Sequence, residues 1–244
     1  MTDTSSAPPA GPAQVQEQHP PIVECLGIDD MVLTYSSEHW IDPCHEDGVQ
    51  YWNVGMHVNE EGPGEMFGSI RICVADEYRV ANIVHSFDFL SSDLYRIGKT
   101  LYDEKTGELC DDLRDLLALP GRATIVDEVT IDRRLRGHGL GVYLTGMALD
   151  YLSHGAGVIA LFPGPLERDD DTDYEQARAN LGRAWSRIGF TPYRDGTWIL
   201  DPGTTALDDA LRCERERLQH HRWNMTFCYE APGRSTISEI TMAK

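Results

Sequence analysis

No run of about 18 consecutive apolar residues, the length that a membrane-spanning helix requires, occurs in this sequence. The N-terminus carries no basic stretch followed by an apolar one, so we expect no signal peptide. The sequence also lacks a C-x-x-C pair. Its six cysteines are widely spaced, at Cys25, Cys44, Cys73, Cys110, Cys213 and Cys228. In a chain of this length such scattering indicates reduced thiols and a cytoplasmic location rather than a disulfide framework.

Basic residues are scarce: 21 Lys and Arg stand against 40 Asp and Glu, which gives a net charge of −19. An acidic surface repels nucleic-acid phosphates and anionic lipids, so we expect neither nucleic acid nor a membrane as a partner. The acidity either attracts a cationic substrate or serves only solubility, and composition alone leaves both interpretations open. The length of 244 residues is sufficient for one sizeable core, or for one core and an appendage.

Hydrophobic alternation predicts several strands. Two alternating runs, 49–58 and 66–74, flank a Gly/Pro turn at 60–64, and this pattern predicts an antiparallel hairpin. The continuous apolar run 158–162 is typical of a strand that is buried on both faces. Further strands are predicted at 31–35, 124–131, 198–200 and 226–229.

Helical periodicity predicts five helices between and after these strands. They cover 86–102 with Ser86 as N-cap, 110–119, 140–153, a segment from the capping box Thr172-x-x-Glu175 to Ile188, and 207–220. Strands that alternate with helices, together with the antiparallel hairpin, predict an α/β fold with a mixed central sheet.

The junction between strand 124–131 and the helix that begins near Leu140 combines glycines with positive charge. Its residues are Arg133, Arg134, Arg136, Gly137, Gly139 and Gly141. Glycines let backbone N–H groups approach a ligand closely, and a helix N-terminus adds unpaired N–H groups and the positive end of the helix dipole. Arginines add charge for phosphates. The junction is therefore predicted to bind a pyrophosphate.

Two common phosphate-binding motifs do not fit this junction. A Walker A loop needs a Lys-Ser/Thr pair that is absent, and a Rossmann turn needs a third glycine where Val142 stands. The spacing Arg136-x-x-Gly139-x-Gly141 instead resembles the R/Q-x-x-G-x-G/A loop of the GNAT superfamily of N-acyltransferases. The strand 158–162 and the helix ending at 185–190 resemble the rest of that core. The resemblance covers about residues 122–201 and, more weakly, the hairpin 49–74.

The resemblance implies a GNAT-like mixed sheet with flanking helices, in which acetyl-CoA lies where two parallel strands splay apart. Backbone groups of Val129, Thr130 and Ile131 would hold the pantetheine and polarise the thioester. The loop would hold the pyrophosphate through Arg136, Gly137, His138, Gly139, Leu140 and Gly141. An amine acceptor would then attack the thioester directly in a ternary complex.

The attacking amine needs a base, and two carboxylates lie on the strand that would border the thioester. Strict alternation places Asp127 on the side of Val129 and Ile131 and Glu128 on the other side, although a β-bulge would undo this parity. Glu128 is the preferred base and Asp127 the second choice; both can instead be ordinary carboxylates that pair with a nearby arginine. The tyrosine that commonly protonates the leaving thiolate in this family is replaced by Trp185, which has no usable acidity.

Ser186, Tyr193 or water are candidates to replace that acid. An acidic segment at 167–175 favours a cationic amine as acceptor, although the same residues also fit a solvated loop. His39, Cys44 and His45 match no common zinc spacing, so we expect no metal site.

The expected organisation is a disordered tail over 1–21, an acyltransferase domain over 22–202 with a helical insertion at 82–119, and a packed C-terminal extension over 203–244. The oligomeric state is left open. Two further functions remain: a non-catalytic acyl-CoA-binding sensor or structural protein, which Trp185 favours, and a protein that binds nucleotide phosphates.

Overall fold

The computed structural model describes residues 21–38, 48–60, 62–80, 82–118, 121–165, 173–231 and 234–243. Several predicted features lie outside these ranges: the tail as far as residue 20, His39, Cys44, His45, and the part of the acidic segment over 167–172, which includes Thr172. Within the described ranges, no helix combines the length and the apolar character needed to span a bilayer.

The described residues form ten strands and six α-helices. The strands are β1 (Ile22–Leu26), β2 (Met31–Ser36), β3 (Val49–Glu60), β4 (Gly62–Ala75), β5 (Arg122–Ile131), β6 (Ala156–Leu161), β7 (Thr191–Pro192), β8 (Trp198–Leu200), β9 (Trp223–Ala231) and β10 (Arg234–Met242). The helices are α1 (Ile83–Leu90), α2 (Ser92–Leu101), α3 (Asp111–Leu116), α4 (Leu140–Leu152), α5 (Tyr174–Ser186) and α6 (Ala206–Leu218).

Seven strands form one mixed sheet in the order β2-β3-β4-β5-β6-β8-β7. Its neighbours are antiparallel except for β5 and β6, which are parallel. All six residues of β6 are buried, as its continuous apolar sequence predicts. The predicted α/β fold, with a large mixed sheet and flanking helices, is thereby confirmed.

Helices cover both faces of this sheet. One core joins alternate strand residues such as Ile72 and Ile159 to side chains of α4, α5 and α6. The intervening residues, including Cys73 and Ile125, pack against α1, α2 and α3 on the opposite face. Period-2 alternation therefore supplies two separate cores from the same strands. The helical stretch predicted as an insertion at 82–119 contributes the cover of the second face.

The C-terminal residues are joined to the N-terminal part of the chain. Strand β9 pairs antiparallel with β1 on one side and with β10 on the other, which makes a second, three-stranded sheet. Helix α6 packs on α4. Strands β1, β7 and β10 were not among the sequence predictions. Strand β7 has only two residues, and partly polar edge strands such as β10 give a weak alternation signal.

The single helix predicted over 86–102 is wrong, because the chain forms two helices that meet at Ser91. Ser91 has an extended backbone, with φ −162° and ψ 155°, and its side chain accepts a hydrogen bond from the Leu94 N–H. Asn82, rather than Ser86, caps α1, and Ser86 lies inside that helix. Apolar spacing continues across the break because Phe87 and Leu94 enter the same core, so periodicity alone does not reveal it.

Replacing Ser91 by alanine removes the side-chain cap of α2 and is expected to cost about 1 kcal/mol of stability. For a chain of this size that corresponds to a fall in Tm of about 2–4 °C, measured by circular dichroism. Ser92→Ala is the matched control, because Ser92 is an exposed first-turn residue whose side chain bonds to no described residue. Equal shifts in the two variants would contradict the assigned cap.

Candidate functional site

Strands β5 and β6 pair over only part of their length. The parallel ladder runs from Arg122 opposite Ala156 to Val126 opposite Leu161, where β6 ends. Strand β5 continues to Ile131 along its other neighbour, β4. In an antiparallel ladder every second residue points its N–H and C=O away from the partner strand. Residues 127–131 of β5 therefore present backbone hydrogen-bonding groups to a side on which no described strand pairs with them.

A β-bulge occurs where this separation begins. Val126 lies opposite Ile72 and Glu128 lies opposite Arg71, so Asp127 is the extra residue on β5. Both carboxylates form ion pairs with the same arginine of β4, which places them on one face of the sheet. The prediction from strict alternation, which placed Asp127 and Glu128 on opposite faces, is therefore wrong. The cause is a β-bulge, the exception that the sequence analysis allowed for.

Arg71 bridges the two carboxylates. Its Nε donates to Asp127 Oδ2 over 2.6 Å, and its Nη2 lies 3.2 Å from Glu128 Oε2. Burial opposes the charge of Arg71, but the hydrogen bond to Asp127 and the charges of both carboxylates raise the pKa of Arg71. The Asp127 side chain is 3% exposed and that of Glu128 is 36% exposed. Glu128 is therefore the more accessible of the two carboxylates, whereas Asp127 is fixed by its ion pair.

The sequence pattern did not identify Arg71 as the partner of Asp127 and Glu128. The available signal was a charged residue between Ile70 and Ile72, in the middle of a strongly alternating strand. Its guanidinium also lies 5.8 Å from the centre of the Tyr51 ring, in cation–π geometry. Burial is the largest cause of a raised pKa of Tyr51.

The glycine loop after β5 requires glycine at two positions. Gly137 has φ 86° and Gly139, the N-cap of α4, has φ 82°, both in the left-handed region that disfavours a side chain. No atom of the described residues lies within 4 Å of the position that a Cβ on Gly137 would occupy. Among the described residues, no side chain caps the N-terminus of α4. The first N–H groups of α4 therefore remain available for an anion.

The three predicted arginines have different surroundings. Arg134 forms two hydrogen bonds to Asp132, of 3.0 and 2.6 Å, and donates to the carbonyl of Ser238 in β10. Arg136 is exposed, and its Nε donates to the carbonyl of Ile131 over 3.0 Å. Arg134 thus links the loop to β10 through hydrogen bonds to other residues of the protein. All three arginines are exposed, but the described hydrogen bonds of Arg134 occupy three of its guanidinium nitrogens.

Two arginines outside the predicted motif also contact this loop. The guanidinium groups of Arg187, which follows α5, and Arg217, on α6, both pack against Gly139. Both are paired with the buried carboxylate of Glu214. Arg187 stands in the helix ending 185–190 that supports the GNAT resemblance, whereas nothing in the sequence pattern connects Arg217 to the loop.

None of the candidate acids is a free donor near β5. Trp185 is buried, with its ring 6.1 Å from that of Phe190 in an edge-on arrangement. The Ser186 hydroxyl donates to a carbonyl of its own helix. The Tyr193 hydroxyl donates to Asp112 over 2.7 Å, and burial, followed by this hydrogen bond, raises the pKa of Tyr193. Tyr193 follows β7, three strand spacings or about 14 Å from β5.

A cavity of about 790 Å³ lies elsewhere, at the start of β5. Gly121, Gly157, Ile83 and Leu109 are among its lining residues. The ten residues of β5 separate this cavity from the glycine loop by about 30 Å. The cavity is therefore not part of the candidate site.

No protein-family model and no curated protein matches this chain. A crystal structure of AtaTR bound with AcCoA aligns with 76% of this chain and 99% of that chain, at 11% sequence identity and a TM-score of 0.36. So distant a likeness carries no argument about the ligand or activity of this chain.

Gly139→Ala is expected to destabilise the protein, because alanine at a left-handed position costs about 1–2 kcal/mol. Its Cβ would also lie 2.6 Å from Nη2 of Arg217. Gly141→Ala is the control, since its Cβ would meet only the side chain of Ile131 at 3.7 Å or more, which is ordinary contact. Thermal unfolding should show a lower Tm by about 2–8 °C for the first variant and almost none for the second. A Tm unchanged in both would contradict the loop geometry.

Proposed function

We propose that this protein is an N-acyltransferase that moves an acetyl group from acetyl-CoA to an amine acceptor. The observation that carries the proposal is the unpaired edge of β5 over residues 127–131, which leads directly into the glycine loop and the uncapped start of α4. One continuous segment thus offers backbone groups for an extended chain and an anion site at its end. Acetyl-CoA has this combination of an amide-containing pantetheine arm and a pyrophosphate.

Under this proposal, backbone groups of Val129, Thr130 and Ile131 hold the pantetheine arm. The loop residues Arg136, Gly137, His138, Gly139, Leu140 and Gly141 hold the pyrophosphate. A backbone N–H of β5 stabilises the negative charge that develops on the thioester oxygen. The fit is supported by the positive-φ glycines, which leave the loop backbone open to close approach by a phosphate.

In the proposed reaction the acceptor nitrogen attacks the thioester carbonyl carbon. The new C–N bond forms, the C–S bond breaks, and CoA leaves as a thiolate that takes a proton from water. Glu128 accepts the proton lost by the amine. Its partly exposed side chain supports this assignment over Asp127, whose side chain is almost fully buried against Arg71. Asp127 is then a positioning residue that fixes Arg71 beside the base.

The acceptor is proposed to be a cationic amine. The support is the net charge of −19, which produces a negative field that concentrates cations and speeds their arrival. If this is correct, the kcat/KM of a cationic acceptor falls as salt rises, because exposed charges are screened beyond about 8 Å at physiological ionic strength.

A second candidate function is a non-catalytic acyl-CoA-binding sensor or structural protein. It is favoured by the burial of Trp185 in the core and by the hydrogen bond that occupies the Tyr193 hydroxyl. Neither residue supplies a proton for the leaving thiolate. Release of free CoA in the presence of amines separates the two functions, since a sensor binds acetyl-CoA without thiol release.

Acetyl-CoA is expected to stabilise the protein, because a ligand that binds only the folded state at a hundred times its Kd adds about 2.7 kcal/mol. That corresponds to a rise in Tm of about 5–10 °C, measured by differential scanning fluorimetry. ATP and NAD are the control ligands and should give no comparable rise. Stabilisation by ATP as well would favour a general nucleotide-phosphate binder, and the absence of stabilisation by any CoA ester would refute the proposed site.

Glu128→Gln is expected to lower kcat/KM by about 100-fold, since the variant loses a general base. The measurement is the rate of thiol release over a pH series with a panel of amines.

Trp185→Phe is the comparison for this variant, because it removes no usable acid and should cost far less activity. Equal losses in the two variants would show that Glu128 does not have the role assigned to it.

A further inference from the structure

We infer that Arg187 and Arg217 form a two-guanidinium clamp for a phosphate group of acyl-CoA at the glycine loop. The buried carboxylate of Glu214 holds the two arginines side by side. The inference rests on the proposed acyl-CoA site and adds to it two residues, one of them on the C-terminal helix α6, which lies outside the segment that resembles the GNAT core.

The three side chains form one hydrogen-bonded unit. Arg187 Nε donates to Glu214 Oε1 over 2.9 Å, and Arg187 Nη2 also contacts Oε2. Arg217 donates to Oε2 from Nε over 3.1 Å and from Nη2 over 2.9 Å. Glu214 is only 6% exposed, so its carboxylate fixes both guanidinium groups from the protein side.

These three side chains pack against the glycine loop through the two guanidinium groups. A Cβ on Gly139 would lie 2.6 Å from Nη2 of Arg217 and 2.8 Å from Nη1 of Arg187. Arg217 Nη2 also donates to the carbonyl of His138 over 2.7 Å. Only glycine at position 139 therefore allows the two guanidinium groups to reach the start of α4.

The three side chains together carry a net positive charge. Two guanidinium groups share one carboxylate, and no second carboxylate of the described residues forms an ion pair with either arginine. They lie beside the N-terminus of α4, which itself carries a partial positive charge. Like charges at short range are unfavourable, so the arrangement favours an additional anion.

The arginines also remain accessible to such an anion. Their side chains are 35% and 36% exposed, and Nη1 of Arg187 makes no hydrogen bond to any other described residue. A phosphate group suits this site because its oxygens accept paired hydrogen bonds from guanidinium forks. This positive cluster contrasts with the rest of the chain, whose net charge is −19.

The test measures the Kd of acetyl-CoA by isothermal titration calorimetry for the wild type, Arg187→Gln and Arg217→Gln. Each variant is expected to bind about tenfold or more weakly, which corresponds to the loss of hydrogen bonds to a charged group. Arg215→Gln is the matched control on the same helix, because Arg215 pairs with Asp29 instead. Its Kd should equal that of the wild type.

Repeating the titration with 3′-dephospho-acetyl-CoA identifies the phosphate. An equal loss for both ligands assigns the clamp to the pyrophosphate, and a loss confined to acetyl-CoA assigns it to the 3′-phosphate; either supports the inference. A purely structural role would predict a lower Tm in both variants with unchanged Kd values, and that outcome would overturn the inference.

If the glutamine variants do not fold, Arg217→Lys carries the test. Lysine keeps the charge beside Glu214 but lacks the planar fork, so the Kd should rise by several-fold, on the order of one lost charge-assisted hydrogen bond. A Kd equal to that of the wild type would overturn the clamp. A wild-type protein that binds no acetyl-CoA would instead refute the proposed function on which the clamp depends.

Discussion

The arrangement of the candidate site depends on the point at which β5 and β6 stop pairing. The ladder ends at Val126 and Leu161, and the bulge at Asp127 follows immediately. A strand that stayed paired along its length would have no free backbone groups and no opening beside them. Because β4 is the one described strand that pairs with β5 beyond this point, the other edge of its last five residues has no strand partner among the described residues. The glycine loop begins where that edge ends, so the unpaired edge and the proposed anion site belong to one continuous segment.

The same bulge determines the electrostatics of the opening. It places Asp127 and Glu128 on one face, where a single arginine of β4 serves both. Arg71 can neutralise only one of the two charges. The buried carboxylate holds the shorter contact, and the more exposed one lies 3.2 Å away. The two carboxylates thus lie beside the unpaired part of β5, and exposed arginines follow it in the glycine loop. The proposed reaction needs this separation of charge, because the amine would lose a proton at one end of a ligand whose phosphates lie at the other.

Sequence periodicity was sufficient for most strands of the central sheet and for most of the helices, because burial repeats every second residue over Val54–Val58 of β3 and every three to four residues in α6. It failed where a local hydrogen bond interrupts a regular pattern. Ser91 caps a new helix without disturbing the apolar stripe, and the Asp127 bulge adds a residue without changing the composition of the strand. Neither the helix break nor the bulge changes which residues are apolar, so the hydrophobic pattern does not reveal them.

Contacts between distant segments are a second limit of sequence reasoning. The glycine motif is local and was located from sequence, but its neighbours are Arg187, directly after α5, and Arg217 of α6, about 50 and 80 residues further along the chain. The motif explains only part of the requirement for glycine at position 139. Gly139 is required by its φ of 82° and, in addition, by the guanidinium groups that occupy the place of its side chain. Because those groups are held by Glu214 of α6, the C-terminal helix and the loop constrain each other. A change that loosens α6 should therefore alter the loop even though it leaves the motif itself intact.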